Sequence, residues 1–227
     1  MSKVSFIEPS QVEIDKVAAL RLQVDEANWD HKLTDVTLLR FLRGHKGDSE
    51  KAFEFLGKHI QYRLDEKIDS GELNAELVAN QIESKKAIIC GRDKQDRPIC
   101  FIMVRRHDAN NRDLNEMKKF VIYTYEQLLS AANPEREQIS LVFDMHQFGM
   151  GNMDYEVVKY LISTMQLNYP DALGTFCILN APFMFYACWV VISPWLDPVT
   201  AAKVNFCSSE QLRGVIDEKE IISDVNH

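Results

Sequence analysis

The chain has 227 residues, 46% hydrophobic and 26% charged, enough apolar material for one large domain or two small ones with a real core. A formal net charge of -8 excludes nucleic acid as the main partner, since phosphate binding needs a basic surface, and excludes docking on anionic membranes by charge alone. Five scattered cysteines (Cys90, Cys100, Cys177, Cys188, Cys207) contain no Cys-x-x-Cys pair, which fits free thiols in a reducing compartment and neither a disulfide frame nor a zinc site.

The first 82 residues read as helical. Ser10 and Glu13 are spaced as a capping box, followed by Ile14, Val17, Ala18 and Val24 at helical intervals. A second helix is expected from about Thr34 to Arg43, with Val36, Leu39 and Leu42 three apart, stopping at Gly44. A third, capped by Asp48 or Ser49, carries Ala52, Phe55, Leu56, His59, Ile60 and Arg63 on one side. Asp69, Ser70 and Gly71 break the pattern, and a short helix fits Ala75 to Ile82.

Beyond residue 82 the pattern changes to that of a second unit, 83–227. Residues 87–90 and 99–104 read as a strand pair around a turn. An amphipathic helix is predicted over Leu114–Ala131, a buried strand over 140–144, a helix capped by Asp154, and a second buried strand over 175–179. Strand, helix and strand of these lengths make a βαβ unit with a parallel pair. Asp197-Pro198 starts another helix, residues 203–206 form a last strand, and Ser208 with Gln211 caps a final helix. The expected fold is α/β: a helical N-terminal module, then a mixed, mostly parallel sheet with helices on it.

From Ala172 to Leu196 there is no charged residue. Asn180-Ala181-Pro182 and Ser193-Pro194 interrupt the run, so it falls short of the ~20 unbroken apolar residues of a membrane span. Between the breaks, Phe183–Ile192 is a ten-residue helix candidate with no water-facing side. A helix apolar all round must be buried or touch something greasy.

Other candidate chemistry has bland explanations. Gly149-x-Gly151 faintly matches a dinucleotide-binding turn, but Asp154 stands where a third glycine belongs, so a flexible loop is the better reading. Asp144 and His146 would share a strand face but lack a nucleophile. Arg40, Arg43, His45 and Lys46 cluster around Gly44, where cations either complement a helix C-terminus or face a phosphate.

The run from Tyr169 to Val204 resembles the CRAL-TRIO lipid-binding family. The resemblance rests on Tyr169-Pro170, Gly174, Asn180-Ala181-Pro182, the apolar helix, and then Pro194-Trp195-Leu196-Asp197-Pro198 with Thr200 and Lys203. Residues 38–43 look like the family's N-terminal module, and 93–98 look like its Asp-x-x-Gly-Arg-Pro turn, with Asp96 in place of glycine. What the resemblance implies is a hydrophobic pocket for one lipid, closed by a mobile gate helix, with no catalysis and no cofactor beyond the lipid ligand.

The resemblance further implies roles for particular residues. Phe183, Phe185, Tyr186, Trp189, Val190 and Ile192 would supply the gate and pocket surface. Lys203, Thr200 and Asp171 would face a headgroup, with His45 at the place of the family's phosphate-binding arginine and Lys46 beside it. Gly149 and Gly151 replace the serines that hold a choline-lipid phosphate. Sequestering a two-chain lipid of ~30 methylenes is worth ~25 kcal/mol, a gain that a bilayer already provides. Exchange between membrane and pocket is then nearly balanced if the lipid never crosses water.

The expected function is therefore a lipid-binding or lipid-transfer protein, for phosphatidylinositol or another phospholipid, cytoplasmic with transient peripheral membrane contact. The alternatives are a module that binds a less polar lipid, or one that docks a protein partner on the apolar helix.

Overall fold

The computed structural model describes residues 7–29 and 33–225. Three helices open the chain: α1 (Gln11–Ala27), α2 (Asp35–Gly44) and α3 (Ser49–Asp65). The expected capping box is formed, the Ser10 amide donating to Glu13 Oε2 at 2.8 Å and the Glu13 amide to Ser10 Oγ at 3.3 Å. Thr34 and Asp48 cap α2 and α3, their side chains accepting from the Thr37 and Lys51 amides. The three helices enclose their own core of Leu20, Leu38, Phe41, Leu42, Ala52 and Leu56. Ile14, assigned to the α1 core stripe by spacing, is instead exposed; Val17, Leu20 and Val24 suffice for the one side that meets α2 and α3.

After α4 (Ala79–Glu83) come β1 (Ala87–Arg92) and β2 (Pro98–Met103), then α5 (Leu114–Ala131), β3 (Ile139–Asp144), α6 (Tyr155–Asn168) and β4 (Leu173–Leu179). The chain continues through α7 (Phe185–Ile192), α8 (Pro198–Lys203), β5 (Val204–Cys207) and α9 (Ser209–Leu212). The strands form one sheet in the order β1-β2-β3-β4-β5, antiparallel only between β1 and β2. The α/β expectation and the β3-α6-β4 crossover hold. One face packs Phe101, Val142 and Leu179 under Leu212, Ile216 and Val225 of the C-terminal segment, while the other, with Cys100 and Leu141, lies under α5 and α6.

Several expectations shift. Lys203 ends α8 and β5 begins one residue later, because Asp197 seeds a helix that reaches that far. The apolar helix starts at Phe185, two residues late, since Phe183 and Met184 are used in a turn in which the Phe185 amide donates to Pro182 O at 2.9 Å. Gly149–Gly151 is a tied turn and no loose loop: residues 150–152 form a 3-10 turn, with the Gly149 amide donating to Asn152 Oδ1 at 2.7 Å.

The turn before β2 explains two sequence features. Asp93 and Arg97 form a buried ion pair at 2.7 Å, Ser140 Oγ donates to Asp93 at 2.6 Å, and Arg97 reaches Thr175 Oγ1 at 2.7 Å. A Cβ on Gly174 would lie 2.2 Å from Arg97 Nη1, so only glycine lets the guanidinium pass. Asp96, at the resembled glycine position, has φ 62°, left-handed backbone that aspartate tolerates at a cost.

Candidate lipid cavity and gate

Between the sheet and its helices lies a cavity of about 190 Å³. Cys100, Ile102, Leu141, Phe143, Phe176 and Ile178 form its floor; Phe120, Val121, Tyr125 and Leu128 of α5 and Val158, Leu161, Ile162 and Met165 of α6 form its sides. These walls follow from the sequence pattern: alternate strand residues share one face, and helical residues three and four apart share another.

Helix α7 closes the cavity. Phe185, Trp189 and Ile192 belong to its wall, and Phe185 and Ile192 are buried. Phe183, Tyr186 and Val190 face the other way, with Phe183 92% and Val190 71% exposed. The six gate residues thus divide into three on each side, and both sides are apolar. Tyr186 stacks on Phe206 with ring centroids 5.3 Å apart. No side chain caps α7 at its N-terminus.

The five headgroup candidates lie elsewhere: none of Lys203, Thr200, Asp171, His45 and Lys46 lines the cavity. Lys203 and Asp171 do meet, at the N-terminal ends of β4 and β5. Lys203 is buried and donates from Nζ to Asp171 Oδ1 at 3.2 Å and to Leu173 O at 2.7 Å. Thr200 spends its hydroxyl on Asp197 at 2.5 Å. Burial pushes the Asp197 carboxyl up, but hydrogen bonds from Thr200, Val199 and Gln166 outweigh it and hold the group below its ordinary range.

His45 packs its ring on Phe55 at 4.2 Å, and burial lowers its pKa, which favours the neutral ring. Lys46 is exposed, with left-handed backbone. Gly44 brings this pair towards Asp171, because a Cβ there would lie 2.5 Å from Pro170 Cβ. The neighbouring arginines are committed: Arg40 to Glu137 at 2.8 Å and Arg43 to Glu13 at 2.8 Å. That arrangement answers the basic cluster with structural ion pairs.

The cavity edge near β1 carries polar residues that sequence reasoning missed. Lys86 Nζ lies 3.5 Å from His107 Nδ1, and His107 Nε2 lies 3.2 Å from Asp154 Oδ2. Burial lowers the pKa of both Lys86 and His107. Asp154 caps α6 as its spacing predicts and also binds Arg112 at 2.5 Å. Asp144 is paired with Arg105 at 2.5 Å and accepts from the His146 amide, so that strand end is held by structure. Among the described residues no helix is long and apolar enough to cross a membrane.

Comparison with known proteins agrees with this architecture. A crystal structure of Sfh5 superposes with a TM-score of 0.68 at 16% identity, covering 97% of this chain and 94% of that one, which shows a shared fold. A CRAL-TRIO domain-containing protein of Schizosaccharomyces pombe is 34% identical over 180 residues, 76% of this chain and 40% of its own length. The phosphatidylinositol transfer protein CSR1 of Eremothecium gossypii is also 34% identical, over 76% of this chain and 42% of its own length. The chain therefore spans about two fifths of the length of these two relatives. The CRAL/TRIO domain profile matches residues 82–226, and the chain belongs to the CRAL/TRIO domain family.

Proposed function

We propose that this protein binds one lipid in the cavity beneath α7 and exchanges it at a membrane surface, with phosphatidylinositol or another phospholipid as the ligand. The observation that carries this reading is the apolar cavity under a helix whose outer side is apolar as well. One side of α7 covers the lipid and the other rests in the bilayer, so the lipid passes between two apolar media. At about 190 Å³ the cavity is below the ~300–1,000 Å³ of ordinary ligand pockets, so α7 moves outward to admit a two-chain lipid. Contact with the membrane is peripheral, through Phe183, Val190 and their neighbours. The Eremothecium gossypii relative, a phosphatidylinositol transfer protein, makes phosphatidylinositol the first lipid to test.

Lys203, Asp171, Thr200, His45 and Lys46 are the proposed headgroup contacts. Extraction of the purified protein and mass spectrometry should recover a lipid; a protein that neither co-purifies with nor transfers any lipid sinks the proposal. Lys203→Ala should lower phosphatidylinositol transfer far more than transfer of a neutral lipid, and equal loss of both removes Lys203 from the headgroup role.

A second reading, a less polar ligand, is favoured by one observation: the headgroup candidates lie off the cavity, and Lys203 is already satisfied by the protein. The open space beneath α7 weighs against a collapsed module that only docks a protein partner.

A further inference from the structure

The Gly149-x-Gly151 turn, which the lipid cavity alone does not explain, lies beside the gate. Its middle residue, Met150, is 55% exposed, and its Sδ lies 4.0 Å from Cys188 Sγ in α7. Tyr155, at the start of α6, is 37% exposed and meets Trp195, just past α7, edge to face with ring centroids 6.0 Å apart. Residues 145–153 contain no Asp, Glu, Lys or Arg, so the apolar outer side of α7 and the turn beside it are both uncharged. Charge returns only past this segment, where Asp154 is buried against Arg112 and Glu156 binds Arg112 at 3.2 Å. An uncharged middle edged by tyrosine and tryptophan suits the hydrocarbon and interfacial layers of a bilayer.

The turn is fastened independently of the gate. The Gly149 amide donates to Asn152 Oδ1 at 2.7 Å, Asn152 Nδ2 to His107 O at 2.7 Å, and the Ala109 amide to Gly151 O at 2.9 Å. These bonds run within the turn and to the segment after β2, so the departure of α7 breaks none of them. We infer that Met150, with Tyr155 at its edge, is a stationary membrane contact that stays in the bilayer while α7 swings. The partner is a lipid surface, entered by apolar side chains and not recognised by charge. This rests on reading α7 as a membrane-facing gate and adds the fixed part against which the gate moves.

The test uses neutral phosphatidylcholine vesicles whose acyl chains carry a nitroxide quencher. A fluorophore is attached at Met150→Cys or, in a second protein, at Val190→Cys. Both are made in a Cys90→Ser background, because the other four cysteines are buried. Both probes should be quenched. Quenching at position 190 without quenching at 150 overturns the stationary contact and leaves the gate reading standing; quenching at neither removes both. Met150→Glu should weaken binding to unlabelled phosphatidylcholine vesicles roughly tenfold with Tm unchanged. Binding as tight as wild type, or a clear fall in Tm, overturns the inference. On vesicles the Gly149 and Ala109 amides should keep their protection from hydrogen exchange; if they lose it, the turn moves with the gate and is no fixed point.

Discussion

The N-terminal ends of the parallel strands and the gate segment are built from opposite materials. At the strand ends charges meet charges: Asp93 with Arg97, Lys203 with Asp171, and, just before β3, Glu137 with Arg40. From Ala172 to Leu196 there is no charge at all, and α7 is held by contacts of Phe185, Cys188 and Ile192 with the interior. Directional, partly buried ion pairs fix one geometry, whereas non-directional apolar contacts can be exchanged for others of the same kind. The comparison teaches where this fold is locked and where it has freedom to move.

The largest effect should come from the locked end. Arg97→Leu leaves Asp93 buried and uncompensated, and should cost about 3–5 kcal/mol in urea denaturation. A loss as small as that of an exposed substitution would break the contrast. The gate should respond in function and not in stability. Phe183→Glu with Val190→Glu should cut vesicle-dependent lipid transfer roughly tenfold or more, since burying each side chain is worth about 1.5–3 kcal/mol. The melting temperature should hardly change, because both residues are exposed. A drop in Tm with transfer intact would reverse the assignment of inner and outer sides.

A smaller effect sharpens the picture within the helical module. The Arg43 hydrogen bond holds the Glu13 carboxyl at about 2, well below the ordinary 4.5. The folded value is the lower one, so this pair stabilises the fold above about pH 4.5 and the contribution is lost as pH falls towards 2. After allowance for solvent screening it is about 1 kcal/mol. The acid limb of a pH–stability curve should flatten by that amount in Glu13→Gln. Smallest of all, Asp96→Gly should stabilise by about 0.5–1 kcal/mol by relieving the left-handed backbone, read as a slight rise in urea midpoint.

The elements most legible in the sequence were the locally determined ones. The Ser10–Glu13 box, the Asp154 and Asp197 caps and the β3-α6-β4 crossover depend on residues within a few positions or on one period. What depended on distant partners was hidden. Arg40 looked available for phosphate until its partner appeared 97 positions away, and the Lys203 bond to Leu173 O spans 30 positions. Which side of α7 faces inward could not be read either, because a helix without polar residues carries no marker of orientation.

The missing cap on α7 bears on when the gate can open. An isolated helix shorter than ~12–15 residues is marginal in water, and this one has eight residues with no side-chain bond to its first amides. Lifted into water, it would forfeit the contacts that keep it wound and would unravel; lifted against hydrocarbon, it keeps its backbone bonds because no solvent competes for them. In the proposed exchange, release would then be coupled to arrival: the latch would keep its shape only where a bilayer is present to receive what it lets go.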